Sequence, residues 1–125
     1  MQVKFIDLTL PQYWLPRYDW VLSLEVLEHI PATFETVALD NIDHVARRGI
    51  VLSWATCGQG GFHHVNNRSP EYVSKIMSKR GFTVDMPTSV AISKQVTPRH
   101  INIKRNLRVY IRKQIRNDGE FYHTT

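Results

Sequence analysis

Three apolar runs, each closed by turn-forming or charged residues, set the frame of this chain. Val3-Lys4-Phe5-Ile6-Asp7-Leu8 carries β-type residues and is closed by Thr9-Leu10-Pro11, which predicts a short strand. Pro11 to Tyr18, with two prolines and little periodicity, reads as a loop. Trp20 to Leu24 is apolar except for Ser23, and Ile50 to Ala55 repeats the pattern. Both are patterned as strands buried on two faces. Between them Pro31 suits the first turn of a helix whose apolar positions Phe34, Val37, Ala38, Ile42 and Val45 fall at helical spacing. Arg47-Arg48-Gly49 then offers cations for a last turn and a glycine stop, which predicts the helix end there.

Cys57 to Asn67, rich in glycine, histidine and asparagine, is a loop. Ser69-Pro70-Glu71 supplies an N-cap, a proline and an early acid, and predicts a helix to Lys79-Arg80-Gly81. Its apolar face is Tyr72, Val73, Ile76 and Met77. Phe82 to Val84 reads as a short strand and residues 87–96 as a helix. Leu107 to Arg112 alternates apolar and basic residues, as an edge or half-exposed strand does. The last residues read as a frayed tail, giving a partial domain over 1–116 and a tail over 117–125. Strand and helix alternate, the order of an α/β domain with a parallel sheet.

Composition narrows the class. No apolar run approaches the roughly 18 residues that a membrane span needs. Met1-Gln2-Val3-Lys4 lacks the basic-then-apolar organisation of a secretory signal. A single cysteine, Cys57, excludes an internal disulfide framework and fits a reducing compartment, so a cytoplasmic protein is expected. The net charge of +5 is unevenly placed. Residues 1–85 hold eight Lys/Arg and nine Asp/Glu, whereas Met86 to Asn117 holds eight Lys/Arg and no acid. That stretch fits either a surface that attracts phosphate or a solvated strand and tail. On the first alternative, RNA would dock through residues 99–116, using Lys104, Arg105, Arg108 and Arg112.

Two constellations carry chemistry. Glu25, Glu28 and His29 follow the Trp20–Leu24 run at spacing i, i+3, i+4, which on a helix shares one face. Such a set either binds a divalent cation through hard or borderline ligands, or is a solvated helix start. The second is the loop Cys57-Gly58-Gln59-Gly60-Gly61-Phe62-His63-His64-Val65-Asn66-Asn67. In a parallel sheet it emerges at the same carboxyl edge as Glu25, where α/β sheets place their sites, and His64 would complete the set. Its Gly-x-Gly-Gly run is no dinucleotide loop, since histidines and asparagines follow it instead of a helix start. Asp7, at the end of the first run, either accepts a hydrogen bond from an adenine amine or caps a turn. Cys57 reads as a bystander, and Trp14, Trp20 and Trp54 as packing residues.

Asp7-Leu8-Thr9, then Leu24-Glu25-Val26-Leu27-Glu28-His29-Ile30-Pro31, then Gly58-Gln59-Gly60-Gly61 with His64-Val65-Asn66, resemble class I S-adenosylmethionine-dependent methyltransferases over about residues 3–112. The resemblance implies a truncated Rossmann-like α/β fold: a mostly parallel sheet with flanking helices and an antiparallel carboxyl-terminal strand. It implies S-adenosylmethionine as cofactor, with Asp7 and Leu8 near the adenine and Leu24 and Glu25 beside the methionine part. It also implies a divalent metal, Mg²⁺ or Mn²⁺, held by Glu25, Glu28, His29 and His64, as in small-RNA and ubiquinone-pathway O-methyltransferases. The methyl acceptor, an oxygen or nitrogen nucleophile, is not specified. The family's strand order is 3-2-1-4-5-7-6, and its first two strands and glycine-rich loop have no counterpart here, since no glycine precedes Gly49. A fragment with little activity alone is therefore expected, self-associating through an exposed sheet edge. The alternative is a non-enzymatic remnant that binds a protein or RNA.

Overall fold

The computed structural model describes residues 3–115; the proposed tail and its boundary at residue 116 lie outside them. Four strands form one sheet: β1 (Tyr18–Leu24), β2 (Ala46–Ser53), β3 (Phe82–Asp85) and β4 (Arg108–Arg112), in the spatial order β1-β2-β4-β3. β1 pairs parallel with β2 from Tyr18 opposite Ala46 to Leu24 opposite Ser53. β4 runs antiparallel to both β2 and β3, so the other three strands point the same way. This arrangement matches strands 4-5-7-6 of the order that the sequence implies.

Helix α1 (Glu35–Val45) follows a short 3-10 turn, Ala32–Phe34, that Pro31 introduces. Its Ala38, Leu39 and Ile42 share one core with Ile50 and Leu52 of β2, Phe82 of β3 and Tyr110 of β4. Helix α2 (Pro70–Lys79) adds Val73 and Met77 to that core. It starts as expected, with the Ser69 hydroxyl accepting from the Tyr72 amide at 3.2 Å. Helix α3 (Met86–Gln95) is capped by Asp85, which accepts from the Thr88 amide at 3.0 Å. A fourth helix, α4 (Ile101–Asn106), was not foreseen. Lys104 fixes it by donating to the Ser93 and Val96 carbonyls at the end of α3. Among the described residues no helix is long and apolar enough to cross a membrane.

Four expectations are corrected. Val3–Leu8 forms no strand, because no neighbour supplies the hydrogen bonds that a strand requires. The segment is held instead by the buried Asn41 of α1, whose amide donates to the Leu8 and Leu10 carbonyls at 3.1 and 2.9 Å. Nor does α1 reach Arg48; Arg47, Arg48 and Gly49 belong to β2. Both arginines face Asp19 across the β1–β2 pair, at 3.4 and 3.6 Å. Gly49 is a clearance residue, since a Cβ there would overlap the Trp20 ring and the Tyr110 carbonyl oxygen. Gly49→Ala is therefore expected to cost about 1–3 kcal/mol in urea unfolding, the range for overpacking.

The third correction concerns β4, which is interior and not an edge. Its last basic position, Arg112, is buried: Nε donates to the Ala46 carbonyl at 2.8 Å and the guanidinium lies 4.2 Å from the Phe82 ring centroid. Polar alternation here reflects a buried ion pair with Asp43 rather than solvent. The fourth concerns β1, which is one of the two edge strands and not a strand buried on two faces: Trp20 is exposed at 47% and Leu22 at 68%.

Candidate functional site

The carboxyl ends of β1 and β2 lie side by side, and the chain reverses sharply after each. Glu25, directly after β1, adopts φ 53°, a left-handed conformation rare for a residue with a side chain. That turn lets its amide donate to the Ser53 carbonyl at 3.0 Å and holds the residue over the end of β2. The Glu25 carboxylate accepts from the Ser53 hydroxyl at 3.2 Å and from the Gln59 amide at 3.3 Å. A 3-10 turn, Leu27–His29, follows and buries Glu28 completely.

Glu28 is the hinge between the two strand ends. Its Oε1 accepts from the Ala55 amide at 3.0 Å, and its carbonyl accepts from the Val65 and Asn66 amides, both at 2.9 Å. Its Oε2 is buried without a partner. Burial first, and then the neighbouring Glu25 carboxylate, pushes the Glu28 carboxyl up to about 7. The Glu28 carboxyl therefore keeps its proton up to near neutrality.

The loop over residues 57–67 is pinned from several sides. Trp54 Nε1 donates to the Asn66 carbonyl at 2.8 Å, and the Asn67 amide donates to the Gln59 carbonyl at 2.7 Å. Glu35, at the start of α1, accepts from Asn66 and Arg68, both at 2.9 Å, and from the Tyr72 hydroxyl. Burial would raise the Glu35 carboxyl, but these three donors outweigh it and hold it below the usual range. The His64 ring packs where a side chain on Gly61 would sit, so that glycine is a requirement of close approach.

Of the expected metal set, Glu25 and Glu28 are brought together, and the His29 and His64 rings meet edge to face with centroids 4.9 Å apart. The four do not become a ligand cluster: among the described residues no three His, Cys, Asp or Glu side chains could hold a metal ion. Glu28 is turned inward onto the Ala55 amide, and His29 Nδ1 is engaged with the His63 carbonyl at 3.0 Å. The residues present do not fit the metal that the resemblance implied.

Asp7 and Leu8 lie on the amino-terminal segment. The exposed Asp7 carboxylate accepts from the Thr9 amide and hydroxyl at 2.9 and 2.6 Å, which hold it below the ordinary range and make it a turn residue. Leu8 borders a groove of about 380 Å³ whose other wall is the end of β1, with Leu22, Ser23 and Val26. Of the four expected cofactor residues Leu8 alone lines this groove; Leu24 and Glu25 stand in the chain between two of its lining residues, Ser23 and Val26. The Ser23 hydroxyl is buried there without a partner. Sequence reasoning missed Ser53 and Gln59, the two residues that fix Glu25. Gln59 stands inside the quoted Gly-Gln-Gly-Gly motif, which was its only signal.

No family model matches this chain, and no curated protein matches it. Two crystal structures of magnesium protoporphyrin IX methyltransferase from Synechocystis PCC 6803 are similar in fold. The one with bound SAH superposes with a TM-score of 0.51 at 22% identity, covering 64% of this chain and 40% of that one. The one with bound SAM gives 0.54 at 19% identity, covering 86% of this chain and 43% of that one. The chain thus spans about two fifths of the length of these structures and has part of the class I methyltransferase fold.

Proposed function

We propose that this chain is part of an S-adenosylmethionine-dependent methyltransferase acting on an oxygen or nitrogen nucleophile. The observation that carries the proposal is the fixed position of Glu25, strained over the paired ends of β1 and β2 and tied to Ser53 and Gln59. Strand ends at one edge of an α/β sheet are where this architecture binds ligands. Leu8 and Ser23 line the adjoining groove, and with their chain neighbours Asp7, Leu24 and Glu25 would hold the cofactor, the unpartnered Ser23 hydroxyl being a hydrogen-bonding group for it. The bound cofactor would supply an electrophilic methyl on a cationic sulfonium.

Methylation of an O–H or N–H group releases a proton, and Glu25 is a half-exposed carboxylate at the strand ends where that proton would be taken up. In this reading Glu25 accepts that proton, while Glu28 is fully buried behind it. No step is assigned to a metal. Residues 1–48 contain no glycine and so no glycine-rich loop to cradle the rest of the cofactor. Weak cofactor binding and little turnover by this chain alone follow.

Calorimetric titration with S-adenosylhomocysteine tests the proposal. Binding is expected, with Glu25→Ala weakening it about tenfold, equivalent to about 1.4 kcal/mol. A folded chain with no heat of binding would contradict it. The open β1 edge favours one second reading, a non-enzymatic module that a partner or a second copy completes by adding a strand. The same titration separates the two.

A further inference from the structure

Away from the strand ends, α2 and the β3–β4 side of the sheet enclose a groove of about 580 Å³ that methyl transfer does not use. One wall is α2, which presents Lys75 and Lys79 together with the hydroxyls of Ser74 and Ser78. Arg108 lies on the opposite wall, and Val84, Met86 and Tyr110 make an apolar floor. The groove has the size of a ligand site. Glu71 is the one acid that lines it.

The charge there is unbalanced. Among the described residues neither lysine is in an ion pair, and Arg108 donates only to the Arg105 and Leu107 carbonyls, at 3.1 and 2.8 Å. From Met86 to Ile115 the chain holds no carboxylate to neutralise them. Lys75 and Lys79 are one helical turn apart, so they line up along the groove instead of converging on one point. That arrangement suits a chain of phosphates better than a single anion. Burial pushes the Tyr110 hydroxyl up to about 12, which keeps it neutral against a phosphate.

The groove also leads toward the strand ends. Pro70, Arg108 and Tyr110 line both it and a small recess that reaches Trp54 and Asn106. The Asn106 amide donates to Gln59 at 2.8 Å, and Gln59 donates to Glu25 at 3.3 Å. The four cations singled out in the sequence do not act together here. Arg112 is buried and Lys104 ties α4 to α3, while Lys75 and Lys79 come from a segment whose overall charge is nearly neutral.

We infer that this groove binds single-stranded RNA through its backbone, with Lys75, Lys79 and Arg108 on the phosphates. The inference is independent of methyl transfer, since RNA can bind whether or not the cofactor does. Fluorescence anisotropy with an oligouridylate of about 12 nucleotides tests it. Three contacts predict a log–log salt slope of about −2, or a loss of roughly twentyfold between 50 and 200 mM salt. The K75Q/K79Q pair, on the exposed face of α2, is expected to weaken binding at least tenfold and to shrink the slope by about 1.4. K94Q/R99Q removes the same charge outside the groove and is expected to change affinity less than threefold. Equal losses from the two pairs, or no binding by the folded wild-type chain at 50 mM salt, would overturn the inference.

Discussion

Asp43→Ala is expected to lower the stability of this chain by about 3–5 kcal/mol, enough to unfold a marginal domain. Asp43 stands in the last turn of α1 and its carboxylate faces the Arg112 guanidinium, which is only 5% exposed. A guanidinium that deep loses most of its hydration and depends on its counter-charge. Alanine leaves the Ala46 and Asp43 carbonyl acceptors and removes the carboxylate that faces the guanidinium. The same substitution loosens Arg80, which is 3.4 Å from Asp43 and 2.7 Å from Asp40. Asp43→Ala/Arg112→Met removes the buried charge together with its partner and should recover part of the loss. Urea unfolding of both variants checks this. An Asp43→Ala chain within about 0.5 kcal/mol of wild type, the scale of an ordinary surface substitution, would contradict it.

The second large effect is a pH dependence centred on Glu28. Its carboxyl is pushed from the ordinary 4.5 to about 7, by burial first and by Glu25 next. Because the folded pKa is the higher one, the folded chain keeps a proton that the unfolded chain releases. This contribution to stability is therefore fully present below about 4.5 and is lost as pH rises through 7. The loss amounts to about 3 kcal/mol by pH 8, at about 1.4 kcal/mol per unit. Glu28→Gln keeps an oxygen for the Ala55 amide and carries no charge at any pH. Its stability relative to wild type should be about 2 kcal/mol higher at pH 8 than at pH 5, read from urea midpoints. Equal destabilisation at both pH values would show that the proton on Glu28 does not matter.

Much of this architecture was legible because local signals agreed with one another. The Ser69-Pro70-Glu71 start and the Arg80-Gly81 end bracket α2 almost to the residue. The two continuous apolar runs became the parallel pair that carries the site. The failures share a cause: a strand is defined by its partner, and a partner is invisible in a linear pattern. Val3–Leu8 has strand composition but no neighbour, so Asn41 claims its carbonyls instead. Gly49 resembled a helix stop, yet its absent side chain makes room for Trp20 across the sheet. Arg112 looked solvent-facing because basic, and is buried because Asp43 answers it.

The site shows the same limit at finer scale. The Glu25, Glu28, His29 spacing predicts one helical face only if a helix begins at Glu25. The helical turn begins at Leu27, after a left-handed Glu25, so the two carboxyls meet as a pair and the imidazoles meet each other. Glu25, Glu28, His29 and His64 thus lie near the two strand ends without gathering into one cluster.

The most direct test of the cofactor site is a ¹H–¹⁵N spectrum of the labelled chain titrated with S-adenosylhomocysteine. Our account predicts shifts clustered at Asp7, Leu8 and Ser23 to Val26, with α2 unaffected. A well-dispersed spectrum whose strand-end resonances stay still at saturating ligand would contradict it.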